Sequence, residues 1–275
     1  MVIKPAVAAA AARLAATSDT PRLDAELLMA HALGTSREAL LLGRHDSVEV
    51  PPGFAALIER RLAHEPIAYI VGRKAFWTFE LEVSPAVLIP RPDSETLIEA
   101  AIEHFGARAP DRILDLGTGS GALLLAALTH WTQATGLGVD MSAAAIEVAR
   151  GNADRLGLAA RADFALLGWE TGANGGFDLI LCNPPYIESG ADLPPDVARH
   201  EPASALFAGD DGLDDYRMIA PVLAPQLAPG GVACIEIGAT QAAAVSALFA
   251  DQGLLTQVRR DLAGRDRCLI VSRVT

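Results

Sequence analysis

The apolar run Phe177-Asp178-Leu179-Ile180-Leu181-Cys182 stops at Asn183-Pro184-Pro185-Tyr186, with Gly175-Gly176 in front of it. A run of this length between a glycine pair and a proline pair predicts a strand buried on both faces. Chemistry is then expected at its carboxyl end. Asn183 offers a carbonyl acceptor and an amide donor there, while Pro184 and Pro185 fix φ and present carbonyls with no competing N–H. Tyr186 adds a flat aromatic face. The four residues together suit a planar NH₂ group, whose two N–H bonds would meet two rigid oxygens while its plane stacks on a ring. Taken alone they suit an ordinary turn equally well, because Asn-Pro and Pro-Pro dipeptides mark turns.

A doubly buried strand needs helices on both sides, and the rest of the second half supplies them. The pattern predicts a strand over 113–116, a glycine turn, a helix over 122–130, and a strand over 137–139 ending in Asp140. Ser142 then caps a helix through Ile146 and Ala149, and a third strand falls within 161–167. After the central run come a helix over 216–227, a strand over 231–237 and a helix over 241–251. Strands over 255–260 and 268–274 have no helix between them, so an antiparallel hairpin should close the edge. Such alternation predicts a mostly parallel α/β sheet with ligands beyond the strands' carboxyl ends.

The first 72 residues read as short helices only. Pro21 stands near a helix start, Leu23, Leu27, Leu28 and Leu33 line one face, and Gly34 offers a stop. Thr35 with Glu38 makes a capping box, and Pro51-Pro52 precedes a helix through Leu57, Ile58 and Leu62. Alternation between Gly72 and Ser84 predicts a hairpin that joins two domains. The expected division is a helical recognition domain over 1–72, a hairpin linker over 73–90 and a catalytic domain over 91–275. Within the segment Val87-Leu88-Ile89-Pro90-Arg91-Pro92-Asp93-Ser94-Glu95, Asp93 or Ser94 would cap the following helix.

Charge and composition exclude several classes. A formal net charge of -12 and no run of Lys and Arg disfavour a nucleic-acid backbone as partner. Cys182, Cys234 and Cys268 each sit inside an apolar run, as small buried residues in a reducing compartment. His31, His45, His64, His104, His130 and His200 show no metal-ligand spacing, so no metal is expected. The Ala-rich start reads as an ordinary helix rather than a targeting peptide. The uncharged stretch 116–139 holds several glycines, Thr129, His130, Thr132 and Gln133, which excludes a membrane span. A soluble cytoplasmic protein follows.

Gly117, Gly119 and Gly121 let the backbone turn tightly against a ligand at a helix start. Gly117-x-Gly119-x-x-Ala122 also satisfies a relaxed dinucleotide fingerprint, and Asp140 lies at the distance of a ribose-binding acid. The glycines therefore leave NAD and S-adenosylmethionine open. Asp115 favours the second, since an acid before the glycines can meet an ammonium but repels a pyrophosphate. Asp140 would then hold the ribose hydroxyls, and Trp169 would lie against adenine.

With Asp115-Leu116-Gly117-Thr118-Gly119-Ser120-Gly121, Asp140 and Asn183-Pro184-Pro185-Tyr186 in this order, the chain resembles class I S-adenosylmethionine-dependent methyltransferases. The Ile89-Pro90-Arg91-Pro92-Asp93 segment, the Phe76-Trp77 hairpin and the helical leader narrow the resemblance to the release factor glutamine methyltransferases, the HemK/PrmC family. The likeness covers nearly the whole chain. It implies a Rossmann-like, seven-stranded, mostly parallel sheet with an antiparallel edge hairpin, plus a small N-terminal all-helical domain. It implies methylation of the glutamine in the Gly-Gly-Gln motif of class 1 peptide-chain release factors, giving N5-methylglutamine. Gly117, Thr118, Gly119, Ser120, Gly121, Asp140, Trp169 and Asn183 would contact S-adenosylmethionine. Asn183, Pro184, Pro185 and Tyr186 would bind the glutamine, with Asn183, Pro184 and Tyr186 acting in catalysis. This sequence departs from the family at Gly168, where relatives often carry an acid, and at Ser94, where Thr is usual. The rival readings are an amino methyltransferase of adenine N6 or guanine N2, to which the Asn-Pro-Pro-Tyr turn is equally suited, and an NAD-dependent oxidoreductase.

Overall fold

The computed structural model describes residues 2–44, 48–170 and 175–274; His45 lies outside them. In chain order the elements are α1 (Ile3–Leu14), α2 (Pro21–Leu33), α3 (Arg37–Leu41), α4 (Phe54–Leu62) and α5 (Ile67–Val71), then the hairpin strands β1 (Arg73–Phe76) and β2 (Phe79–Glu82). They are followed by α6 (Glu95–Phe105), β3 (Arg112–Leu116), α7 (Ala122–His130), β4 (Thr135–Asp140), α8 (Ala143–Arg155), β5 (Ala162–Leu166) and β6 (Phe177–Cys182). The rest are α9 (Pro195–His200), α10 (Asp214–Gln226), β7 (Leu227–Glu236), α11 (Ala242–Ala250), β8 (Leu254–Arg260) and β9 (Asp266–Arg273). No helix among the described residues is long and apolar enough to cross a membrane.

Two compact units make up the chain. The first combines Met1–Arg73 with Leu193–His200, so that α9 belongs to it from far along the sequence. Its core gathers Ile3, Leu14, Leu28, Met29 and Ile58. The inner face of α2 differs from the predicted leucine stripe. Leu28 is buried, but Leu23 is exposed, and Asp24 and Glu26 are buried in its place. Both acids are paired, as burial of charge requires. Asp24 accepts from Arg61 Nε at 2.7 Å and Ser18 Oγ at 2.7 Å, and Glu26 accepts from Arg22 and Arg37, each at 2.9 Å. The cap of α3 is Ser36, whose Oγ accepts from Ala39 N at 3.2 Å, one residue beyond the predicted Thr35.

In the second unit, residues 74–192 and 201–275, seven strands run in the order β5-β4-β3-β6-β7-β9-β8. All pairs are parallel as far as β7, and β9 runs antiparallel to both of its neighbours. Helices α6, α7 and α8 cover one face, and α10 and α11 the other. From Leu179 on, the central strand β6 feeds both cores by alternation, with Leu179 and Leu181 on the first face and Ile180 and Cys182 on the second; Phe177, ahead of a register shift, also joins the second. Cys182, Cys234 and Cys268 are buried free thiols.

The topology places the cleft. From β3 the chain moves to one side for β4 and β5, then crosses to the other for β6 and β7, so the order reverses between β3 and β6. Register aligns what comes next. Leu116 pairs with Val139 and with Cys182, and Cys182 pairs with Ile235. Asp140, Gly117, Asn183 and Glu236 consequently form one row along the carboxyl edge of four adjacent strands.

Candidate functional site

A cleft of about 530 Å³ opens along that row, lined among others by Gly117, Asp140, Trp169, Asn183, Pro185 and Pro90. Its floor on the β3 side is the glycine turn. Gly117, Gly119 and Gly121 take φ of 68°, 53° and 83°, a region that costs L-residues strain. Gly117 has a second reason to lack a side chain, because a Cβ there would meet the Trp169 ring at 3.1 Å. Gly121 leads into α7, and the turn is tied down by Gly119 N donating to Asp140 Oδ2 at 3.0 Å. The other Asp140 oxygen accepts from Ser142 N at 2.9 Å, and Ser142 caps α8 as predicted. Asn152 braces the turn from outside the cleft, donating Nδ2 to Ser120 O at 2.9 Å and to Glu82 O at 3.0 Å.

Asp115 does not stand where the sequence reading put it. Alternation on β3 turns it toward the Ile113 face, under α7, so it lies beneath the turn rather than on the cleft wall. Its Oδ2 accepts from Thr118 Oγ1 at 2.6 Å and Leu124 N at 3.3 Å. Its Oδ1 is buried with no hydrogen-bond partner among the described residues. Burial pushes its pKa up to about 7, against the pull of the Thr118 hydroxyl and the Leu124 amide.

Trp169 lies in the loop beyond β5 and donates Nε1 to Asp215 Oδ1 at 2.9 Å; burial raises the Asp215 pKa. A glycine-cradled turn, an acid on the next strand end and an indole against the turn fit a ligand with a ribose and a flat base.

At the end of β6, Asn183 and Pro185 line the cleft, while Pro184 and Tyr186 do not line it, and neither does Gly121. Asn183 Nδ2 donates to Ser94 Oγ at 3.1 Å, and Ser94 Oγ donates to Glu236 Oε2 at 2.5 Å. The Tyr186 hydroxyl donates to the other Glu236 oxygen at 3.2 Å, and burial with the adjacent carboxylate raises its pKa. Gln241 Nε2 donates to Tyr186 O at 3.0 Å and to Gly212 O at 3.2 Å, pinning the backbone of the turn. Ser94 does not cap α6 and neither does Asp93: Pro92–Ser94 forms a 3₁₀ turn, Ser94 faces inward, and Asp93 pairs with Arg267. The Pro-rich wall is anchored by buried Glu201, which accepts from Ile89 N at 3.1 Å and pairs with Arg91.

Sequence reasoning missed Ser94, Asp215, Glu236 and Gln241 as parts of the site. Glu236 carried a usable signal, an acid near the end of the fifth strand's apolar run, just as Asp140 ends the second. The expected metal-free character was drawn from spacing; among the described residues no three His, Cys, Asp or Glu side chains form a metal-holding group.

Comparison with known proteins adds two family matches, the PrmC N-terminal domain over residues 5–72 and a methyltransferase domain over residues 108–251. The chain is 45% identical over 261 residues to the release factor glutamine methyltransferase of Rhodospirillum rubrum, covering 93% of this chain and 80% of that protein. It is 41% identical to the enzyme of the same name from Caulobacter vibrioides, covering 92% and 89% respectively. Among solved structures, the ribosomal protein L11 methylase of Lactobacillus delbrueckii subsp. bulgaricus shares the fold at a TM-score of 0.52 and 21% identity, over 70% of this chain and 84% of that one.

Proposed function

Because this chain belongs to the release factor glutamine methyltransferase family, we propose that it methylates the side-chain nitrogen of the glutamine in the Gly-Gly-Gln motif of a class 1 peptide-chain release factor. S-adenosylmethionine, the cofactor in this reading, supplies a methyl group on an electrophilic sulfonium. Gly117, Thr118, Gly119, Ser120 and Gly121 would hold it together with Asp140, Trp169 and Asn183. The reading places the enzyme in the cytoplasm beside its substrate, with residues 1–72 as the recognition module and 91–275 as the catalytic one.

The difficulty lies in the acceptor. An amide nitrogen is a poor nucleophile because its lone pair is delocalised into the carbonyl. Asn183 Oδ1 and the Pro184 carbonyl would each accept one N–H, fixing the amide plane and favouring the positive charge that grows on nitrogen as the N–C bond forms. Tyr186, which does not line the cleft as it stands, would stack on the amide once the substrate approaches. No strong base is needed, since the methylated amide sheds its extra proton to water. In-line placement then supplies much of the acceleration, on the order of 7–11 kcal/mol where attack geometry is well held.

The observation that carries this reading is the register of β3 with β6. Leu116 opposite Cys182 brings the glycine turn beside Asn183, and Gly117, Asn183 and Pro185 all line one cleft. Incubation of the protein with S-adenosylmethionine and a purified release factor, followed by mass spectrometry, should find one added methyl on the Gly-Gly-Gln glutamine. An unmodified glutamine alongside methylated RNA would move the assignment to a nucleic-acid amine.

A further inference from the structure

We propose that Glu236 is a positioning residue for methyl transfer, aiming the Asn183 carboxamide through Ser94 and holding the Tyr186 ring through its hydroxyl. The proposal rests on the acceptor reading above and extends it to two residues outside the Asn-Pro-Pro-Tyr turn.

Glu236 ends β7, is 1% exposed, and follows Ile235, the partner of Cys182. Its two carboxylate oxygens are divided between Ser94 Oγ at 2.5 Å and Tyr186 Oη at 3.2 Å. A carboxylate can only accept, so the single Ser94 proton is committed to it. Ser94 Oγ can then only accept from Asn183, which it does from Nδ2 at 3.1 Å. The direction of the whole chain is thereby set. The Asn183 NH₂ points to Ser94, and its Oδ1 occupies the other branch of the carboxamide, where the substrate N–H needs an acceptor. A carboxamide without such a partner flips readily, and a flipped Asn183 would oppose the glutamine NH₂ with an NH₂ of its own.

The surroundings keep this carboxylate inside the protein. Arg267 Nη2 pairs with Asp93 at 3.2 Å, its Nη1 donates to Ile237 O at 3.3 Å, and its Nε lies 3.5 Å from Asp261. The Tyr216 hydroxyl donates to the Glu236 carbonyl at 2.8 Å. The Cys182 and Cys268 thiols, Tyr186 and Tyr216 all feel its charge, and Asp93 and Arg267 act on it in turn. Burial raises its pKa to about 7, with Ser94, Arg267 and Tyr186 pulling the other way. Once protonated, the acid can donate to Ser94, the serine proton becomes free to turn toward Asn183, and the fixed direction is lost. Transfer should therefore be high above about pH 7 and fall as pH drops through it.

The test is steady-state transfer to a release factor by the full-length protein, across pH, for wild type, S94A, S94T and E236Q, with S-adenosylmethionine affinity measured in parallel. S94A should lower kcat about tenfold or more while cofactor affinity stays put, and S94T, which restores a hydroxyl, should recover most of the loss. E236Q should lower kcat similarly and lose the pH step near 7. Asp115 has a pKa raised to the same range, so a step that persists in E236Q belongs to Asp115 and overturns the proposal. S94A at wild-type rate overturns it as well. A wild type that leaves the release factor unmodified sinks the acceptor reading instead. If E236Q fails to fold, S94A and its rescue by S94T decide.

Discussion

The two ends of the cleft are braced in opposite ways. At the glycine turn the bonds come mostly from nearby in the chain: Thr118 to Asp115, Ser142 to Asp140, and Gly119 to Asp140 one β-α-β step away. At the Asn-Pro-Pro-Tyr turn the braces are side chains from remote segments: Ser94 on Asn183, Glu236 on Ser94 and Tyr186, Gln241 on the Tyr186 carbonyl. A ligand that recurs unchanged can be held by a short local pattern. An acceptor site has to be aimed, and aiming draws on several strands at once.

The sharpest way to separate the two ends is Asn183→Ala. This variant should lose about a hundredfold to a thousandfold in kcat, the range for removing one group that stabilises developing charge. Its affinity for S-adenosylmethionine, read by calorimetry, should fall far less, because Asn183 is only one of the residues assigned to the cofactor and all the others remain. Equal losses in both would mean that the ends are not separable.

That division also explains what could be read from the sequence. Strands β3 and β6 were legible because burial on both faces leaves a largely apolar run bounded by Gly and Pro, and the glycine turn because its reasons lie within a few residues. Ser94 and Glu236 are 142 positions apart, and nothing in either neighbourhood announces the other. Local rules made Ser94 a helix cap, whereas the 3₁₀ turn ahead of α6 swings its hydroxyl inward. Helix α2 was misread for a related reason. Asp24 and Glu26 occupy its inner face because Arg61, Arg22 and Arg37 neutralise them there, and a hydrophobicity pattern assigns acids to the outside.

A pH experiment probes the glycine end from beneath. The folded pKa of Asp115 is raised above that of the unfolded chain, so its carboxyl favours folding only while protonated. Its contribution is full below about pH 4, falls as pH rises, and is a constant penalty above about 7. Asp115→Asn cannot ionise and escapes that penalty. Its unfolding free energy relative to wild type, read from urea titrations, should therefore rise between pH 4 and 7 and level off above, by roughly 2–4 kcal/mol at most. A difference that stays flat with pH would show that Asp115 is ionised at no cost, its second oxygen satisfied by some group outside the described bonds.

Gly117→Ala tests the turn from above. An alanine would be held at φ 68° with its Cβ 3.1 Å from the Trp169 ring. Strain of about 1–2 kcal/mol should appear as a roughly tenfold weaker cofactor affinity, with kcat at saturation nearly unchanged. Loss confined to kcat would place the turn on the acceptor's side of the cleft.

The smallest effect is expected from Trp169→Phe, and it asks whether the indole serves by its face or by its edge. Phenylalanine keeps an aromatic face against the turn but removes the Nε1–H that Asp215 Oδ1 accepts at 2.9 Å. Asp215 already has its pKa raised by burial, with that hydrogen bond among the forces opposing the rise. Removing the donor should raise it further and loosen the loop beyond β5, at a cost of about 1 kcal/mol. Cofactor Kd should rise about fivefold while kcat holds, because the acceptor end takes none of its braces from this loop. A fall in kcat without a change in Kd would show that the indole steers the acceptor, and the contrast between a locally built cofactor end and a remotely aimed acceptor end would fail at this residue.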